Sequence, residues 1–300
     1  MSIKPSFRRG YLSSQSARLT QPSTWIGSLG SNFLNFNNNG NSMTASATPN
    51  TPGAWVQYIA NNSIPSTSVI HAIHIQCVGN NQAANTDNSM LLDVAKGAAG
   101  SETIIAQNIA VGGSWNTGGA GPFFILPIRI EGATRVAMRV RAATGSRVLT
   151  MQNITSYGHS ILNPFSDRLP TSLDTLGTST STSTGTAMSG SSSTWVQITE
   201  ATTKDYQGLV VIPSGPANIS AASTTQFRLD LGIGAAGNEM PIAFVNGAYG
   251  GNGFIYPSAL TATPAIYGGF VPAGTRIAIR HNLAANPERV CACVIGVPYV

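Results

Sequence analysis

The sequence predicts an all-β fold: two tandem, internally duplicated β-sandwich or jelly-roll modules behind an extended N-terminal arm. Three observations carry that expectation. Landmark segments recur in the same order about 140 residues apart, the mark of a repeated unit. The stretches between them alternate apolar and polar residues with period two, as half-buried strands do. The composition is poor in charge and rich in residues that form turns.

The repeat is explicit. Trp55-Val56-Gln57 returns as Trp195-Val196-Gln197, 140 residues on. Asp93-Val94-Ala95-Lys96-Gly97-Ala98-Ala99-Gly100-Ser101-Glu102 returns as Asp230-Leu231-Gly232-Ile233-Gly234-Ala235-Ala236-Gly237-Asn238-Glu239, 137 residues on. Thr134-Arg135-Val136-Ala137-Met138-Arg139 returns as Thr275-Arg276-Ile277-Ala278-Ile279-Arg280, 141 residues on. Offsets that drift by a few residues mean small loop insertions in a duplicated domain. Between landmarks, Val69 to Gln76 and Arg135 to Val140 alternate as strands with one buried face. Several short strands in about 110 residues per copy suffice for a two-sheet core. The expected division is a docking arm at 1–35, module one at 36–160, a linker at 161–177 containing Pro164 and Pro170, and module two at 178–300. The Ser/Thr run from Thr178 to Thr186 precedes Trp195 as Asn38 to Ser46 precedes Trp55, so it reads as a polar edge strand.

Composition narrows the function classes. Charged residues make up 9% of the chain, far below the roughly 25% of ordinary soluble domains, so Ser, Thr, Asn and Gly must cover the surface. The 32 glycines and 17 prolines suit many turns and little helix. No apolar run approaches the roughly 20 residues of a membrane-spanning helix, and a soluble chain without membrane contact is expected. Of the net charge of +5, four units reside in Lys4, Arg8, Arg9 and Arg18, which meet no acidic residue before Asp87; without them the chain carries +1. The arm is therefore read as docking on an acidic protein surface, and nucleic acid is not the expected partner. The N-terminal segment has no apolar core of a signal peptide, which predicts a cytoplasmic start. Cys77, Cys291 and Cys293 are odd in number and sit in apolar runs, as buried thiols rather than a disulfide framework or zinc site.

The repeated charges are Asp93, Glu102, Arg135 and Arg139, matched by Asp230, Glu239, Arg276 and Arg280. Two carboxylates beside small apolar residues supply too few oxygens for calcium, which takes about six to eight; no metal is expected. Balanced acids and guanidiniums in so uncharged a chain predict structural ion pairs that fix turns against strands. No catalytic residues emerge: His71 and His74 fall on opposite strand faces, no base and nucleophile are paired, and neither a G-x-S-x-G elbow nor a phosphate-binding glycine loop is present. No cofactor is expected. A sugar cleft between Asp93 and Glu102 is conceivable, but their recurrence beside arginines points to pairing. Trp55 and Trp195 are expected as core anchors. Trp115 and Tyr249, each in a Gly-rich segment, are expected at equivalent loop tips, either contacting sugars or partner proteins or folding back over the end of the sandwich.

The repeated pattern D-x-x-x-G-A-A-G-x-E, followed by an extended apolar segment and T-R-h-A-h-R, resembles virion structural proteins of tailed bacteriophages. Val271-Pro272-Ala273-Gly274-Thr275-Arg276 gives the nearest match, and Glu131 replaces the proline in the first copy. The resemblance spans both modules but not residues 1–35. It implies a non-enzymatic virion protein: a tail-fibre or adhesion component, docked on other virion proteins by its arm and contacting host surface glycan. The alternative it implies is a capsid or neck decoration protein; a carbohydrate-active enzyme is a distant third. A homo-oligomer, in trimeric form, is the expected assembly.

Overall fold

A computed structural model describes residues 33–36, 41–61, 66, 68–78, 90–111, 120–160, 168–177, 186–188, 194–214, 225–250, 254–257, 265–282 and 290–300. The protein is all β, and no α-helix occurs among the described residues. The first module holds β1 (Phe33–Phe36), β2 (Asn41–Thr44), β3 (Val56–Ile59), β4 (Ser68–Val78), β5 (Met90–Lys96), β6 (Thr103–Ala110), β7 (Ala120–Glu131), β8 (Val136–Ala142) and β9 (Val148–Ser160). The second holds β10 (Asp174–Leu176), β11 (Thr186–Met188), β12 (Val196–Thr199), β13 (Tyr206–Ser214), β14 (Thr225–Ile233), β15 (Met240–Gly250), β16 (Phe254–Pro257), β17 (Ala265–Tyr267), β18 (Ile277–Asn282) and β19 (Val290–Pro298).

Four antiparallel sheets form among the described residues. Sheet I runs β1-β9-β4-β7 with β2 also on β9, and sheet II runs β3-β8-β5-β6. Sheet III repeats sheet I as β10-β19-β13-β17 with β11 on β19, and sheet IV repeats sheet II as β12-β18-β14-β15, adding β16 at its edge. Within each module the chain alternates between facing sheets in the order of a jelly roll. The duplication read from three sequence landmarks is thus a duplication of the whole strand order.

Inside the first module, alternation places Met90, Leu92 and Val94 of β5 against Val136, Met138 and Val140 of β8 and Ile73, Ile75 and Leu126 of sheet I. Leu229, Leu231, Ile277 and Ile279 do the same in the second. Sheet III departs from one-sided burial. Leu209 and Val211 of β13, with Ala292 and Val294 of β19, face the second module's core. Val210, Ile212, Cys293, Ile295 and Val297 alternate with them and join the first module's core. This sheet packs on the β6 and β7 side of the first module and is buried on both faces.

The segment expected as a linker at 161–177 is, where described, part of that joint. The Arg129 amide donates to the Pro170 carbonyl at 2.8 Å, and the Leu173 amide donates to the Ile105 carbonyl at 2.7 Å. Leu173 is buried in the shared core, and residues Asp174–Leu176 form β10 on β19. Apolar Leu173 and Leu176 make this stretch adhere where its prolines suggested a spacer. The arm boundary also shifts, since Phe33 to Asn35 lie in β1, paired with β9. Of the Ser/Thr run, 178–185 lies outside the described residues, and Thr186 opens β11, the counterpart of β2.

Candidate functional site

The repeated charges build two copies of one clamp. The tight turn after β5 needs a left-handed backbone at Gly97 (φ 115°) and Gly100 (φ 83°), and the turn after β14 needs it at Gly234 (φ 122°) and Gly237 (φ 83°); glycine alone adopts it freely. Arg135 reaches across from the start of β8. Its Nη1 donates to Glu102 at 2.9 Å and to the Gly97 carbonyl at 3.3 Å, and its Nε donates to Gln57 Oε1 at 3.1 Å. Arg276 repeats this with Glu239 at 2.7 Å, the Gly234 carbonyl at 3.3 Å and Gln197 at 3.0 Å. The Gly100 amide also donates to Glu102 at 3.0 Å. Burial pushes both carboxyls up, but backbone hydrogen bonds and the arginine beside each outweigh it and hold Glu102 and Glu239 below the usual carboxylate range. Each clamp ties a turn to two strands. Gln57 and Gln197 were part of the Trp-Val-Gln landmark, but their role emerges only once β3 and β12 are seen beside the arginines.

A second arrangement lies on the outer faces of sheets II and IV. Register sets Asp93 opposite Arg139 and Asp230 opposite Arg280. Asp93 accepts from Arg139 Nε at 3.0 Å, Arg141 Nη2 at 3.2 Å and the Asn108 amide at 3.0 Å. Asn108 has a left-handed φ of 55°, which aims its amide at the carboxylate. Asp230 accepts from Arg280 Nε at 3.0 Å and Arg228 Nε at 2.7 Å. Two guanidiniums share one carboxylate in each module, leaving one surplus positive charge on each face.

Aromatic rings frame these charges. Arg139 stacks over Trp55 at 4.3 Å and Arg280 over Trp195 at 4.5 Å. Both tryptophans are half-buried on the outer face, a correction to their expected place in the core. The reason is alternation: Met138 and Ile279 point inward, so the arginines that follow them point out and draw the rings with them. A Cβ on Gly232 would stand 2.6 Å from the Trp195 ring, so glycine is what lets that ring lie on the sheet. The second module adds a ring on the far side. Arg228 stacks over Phe244 at 4.4 Å, and Phe244 is 54% exposed. On sheet IV the contacts run in series from Trp195 through Arg280, Asp230 and Arg228 to Phe244. Arg141, Arg228 and Phe244 were not foreseen, because their positions do not repeat between the copies.

Tyr249 does not sit at a loop tip. It lies within β15, paired with Thr225 on one side and Ile255 on the other; β15 runs on through Gly247 to Gly250, and β16 continues the sheet. Trp115 and the arm cations Lys4, Arg8, Arg9 and Arg18 lie outside the described residues. Among the described residues, no three His, Cys, Asp or Glu side chains gather as a metal site. Elsewhere the Tyr206 hydroxyl donates to Asp174 at 3.1 Å, and Lys204 pairs with the same carboxylate at 2.9 Å. Burial, and then the Asp174 charge, push Tyr206 up to about 12.

Compared with known proteins, the chain matches no family model and no curated protein. Solved structures align with it weakly. PNGF-II aligns over 89% of this chain and 66% of its own, at 8% identity and a TM-score of 0.35. PNGase F, a glycosylasparaginase from Flavobacterium meningosepticum, aligns over 88% and 97%, at 11% identity and a TM-score of 0.26. The tandem CBM22-1-CBM22-2 domain of Paenibacillus barcinonensis Xyn10C aligns over 89% and 97%, at 8% identity and a TM-score of 0.22. At such scores these likenesses carry no argument, and the jelly-roll assignment rests on the chain's own strand order.

Proposed function

We propose that the chain is a non-enzymatic structural component of a phage-like virion, a tail-fibre or adhesion element whose basic arm docks on the particle. The observation that carries this reading is the burial of sheet III on both faces, which makes two jelly rolls one stiff body. A stiff body holds an outward binding face at a fixed distance from its anchor, as an attachment element must. The arginines around Asp93 and Glu102 support the same reading, since a glycoside hydrolase needs its two carboxylates turned to the sugar.

One feature favours the decoration role instead. Phe270 and Tyr299 are exposed and meet edge to face at 6.0 Å, with Val300 exposed next to Tyr299; apolar surface of this kind suits a neighbouring subunit. Labelled-antibody electron microscopy of intact particles separates the two. Label at the tail tip is expected, label on the head or neck gives the decoration role, and unlabelled particles overturn virion membership.

A further inference from the structure

The two modules share their clamps but not the far side of the outer-face row. In the first module, Asp93 is completed by a backbone amide from Asn108 on β6. In the second, the strand position opposite Asp230 carries Phe244, and the remaining acceptor site is filled by Arg228. Arg280 and Arg228 both pair with Asp230, as Arg139 and Arg141 both pair with Asp93. What sets the second module apart is a solvent-facing phenylalanine: Phe244 is 54% exposed, which forfeits the burial that usually keeps Phe inside. The second module thus keeps a ring at the surface, beside its arginine pair, that its own stability does not explain.

The chemistry of the row selects a ligand. Arg228 and Arg280 each spend Nε on Asp230, and among the described residues none accepts from their Nη groups. Two guanidiniums around one carboxylate leave a net positive charge and planar donors suited to a second carboxylate. Trp195 and Phe244 flank them, each with a guanidinium over its ring; Phe244 is 54% exposed and Trp195 half-buried, so both keep apolar surface for the C–H side of a sugar ring. From this we infer that the outer face of sheet IV binds an acidic saccharide, its carboxylate held by Arg228 and Arg280 and its rings by Phe244 and Trp195. The choice of a glycan rests on the attachment reading; the charge and the aromatic walls do not.

Calorimetric titration of the full chain tests it, using an oligogalacturonide, the neutral oligogalactoside of equal length, and a glutamate peptide of equal charge. The oligogalacturonide is expected to bind at least about tenfold tighter than either control. Arg228→Gln and Phe244→Ala are each expected to weaken it by about tenfold or more, while Arg168→Gln, an exposed cation elsewhere, leaves it unchanged. Arg280 remains on Asp230 in both variants, and unchanged melting temperatures confirm that they fold. Equal affinity for the neutral sugar or the peptide, or unchanged affinity in both variants, overturns the inference. Failure to bind in a protein that antibodies place at the tail tip overturns this site and leaves the attachment role; binding by a protein absent from particles does the reverse.

Discussion

Removing the carboxylate at the centre of each outer-face row should cost more in the first module than in the second. Asp93 is 1% exposed, and its partners Arg139 and Arg141 are 22% and 25% exposed. In Asp93→Ala those two guanidiniums stay largely in place without a counter-charge, and the Asn108 amide loses its acceptor. Breaking a buried pair from one side costs about 3–5 kcal/mol; partial access of both arginines to water puts this variant near the lower end, about 3 kcal/mol. Asp230 is 8% exposed, but Arg280 and Arg228 are 32% and 50% exposed. Once freed they rehydrate more fully, which moves Asp230→Ala to about 1–2 kcal/mol, between the buried and surface cases. Urea unfolding reads both, as a shift in midpoint at constant slope. A loss below about 1 kcal/mol for Asp93→Ala, or a larger loss for Asp230→Ala, refutes the idea that exposure of the partners sets the cost.

Other outcomes follow from the same geometry. Glu102 and Glu239 keep their charge in the folded chain below the unfolded value of 4.5, so their contribution is whole above that pH and is lost as pH falls through the folded values. Thermal melts from pH 7 to pH 3 should show this acid limb, and the Glu102→Gln, Glu239→Gln double variant should flatten it. Tyr206 is raised from 10.0 to about 12, so the unfolded chain gives up that proton first and stability falls as pH rises across this interval. Tyr206→Phe should remove the alkaline slope measured by denaturant unfolding. Ile295→Ala, in the sheet that joins the modules, should cost about 2–5 kcal/mol and lower the melting of both modules together; a transition in which the first module holds its midpoint argues against a common core.

Much of this was readable in the residues, and the parts that were not share a cause. The duplication and the grouping of acids with arginines are legible because identical spacing preserves identical register, as at Asp93 with Arg139 and Asp230 with Arg280. The joint between modules was harder. Leu209-Val210-Val211-Ile212 has no alternation, and a continuous apolar run marks a strand covered on both sides, yet a run alone does not say what covers it. The tryptophans misled because a large ring is usually inside; only the face on which Arg139 and Arg280 emerge turns them outward. Phe244 and Arg228 have no counterpart in the first module, so comparison of the copies passed over them.

The doubly covered sheet also decides how the protein carries a load. Tension applied to the second module reaches the first through β13, β19 and the β10 segment at once, rather than through a single strand of chain. Separating the modules would mean exposing Val210, Ile212, Ile295 and Val297 together, a shearing of packed side chains. A pull at one end is therefore delivered at the other with its direction kept.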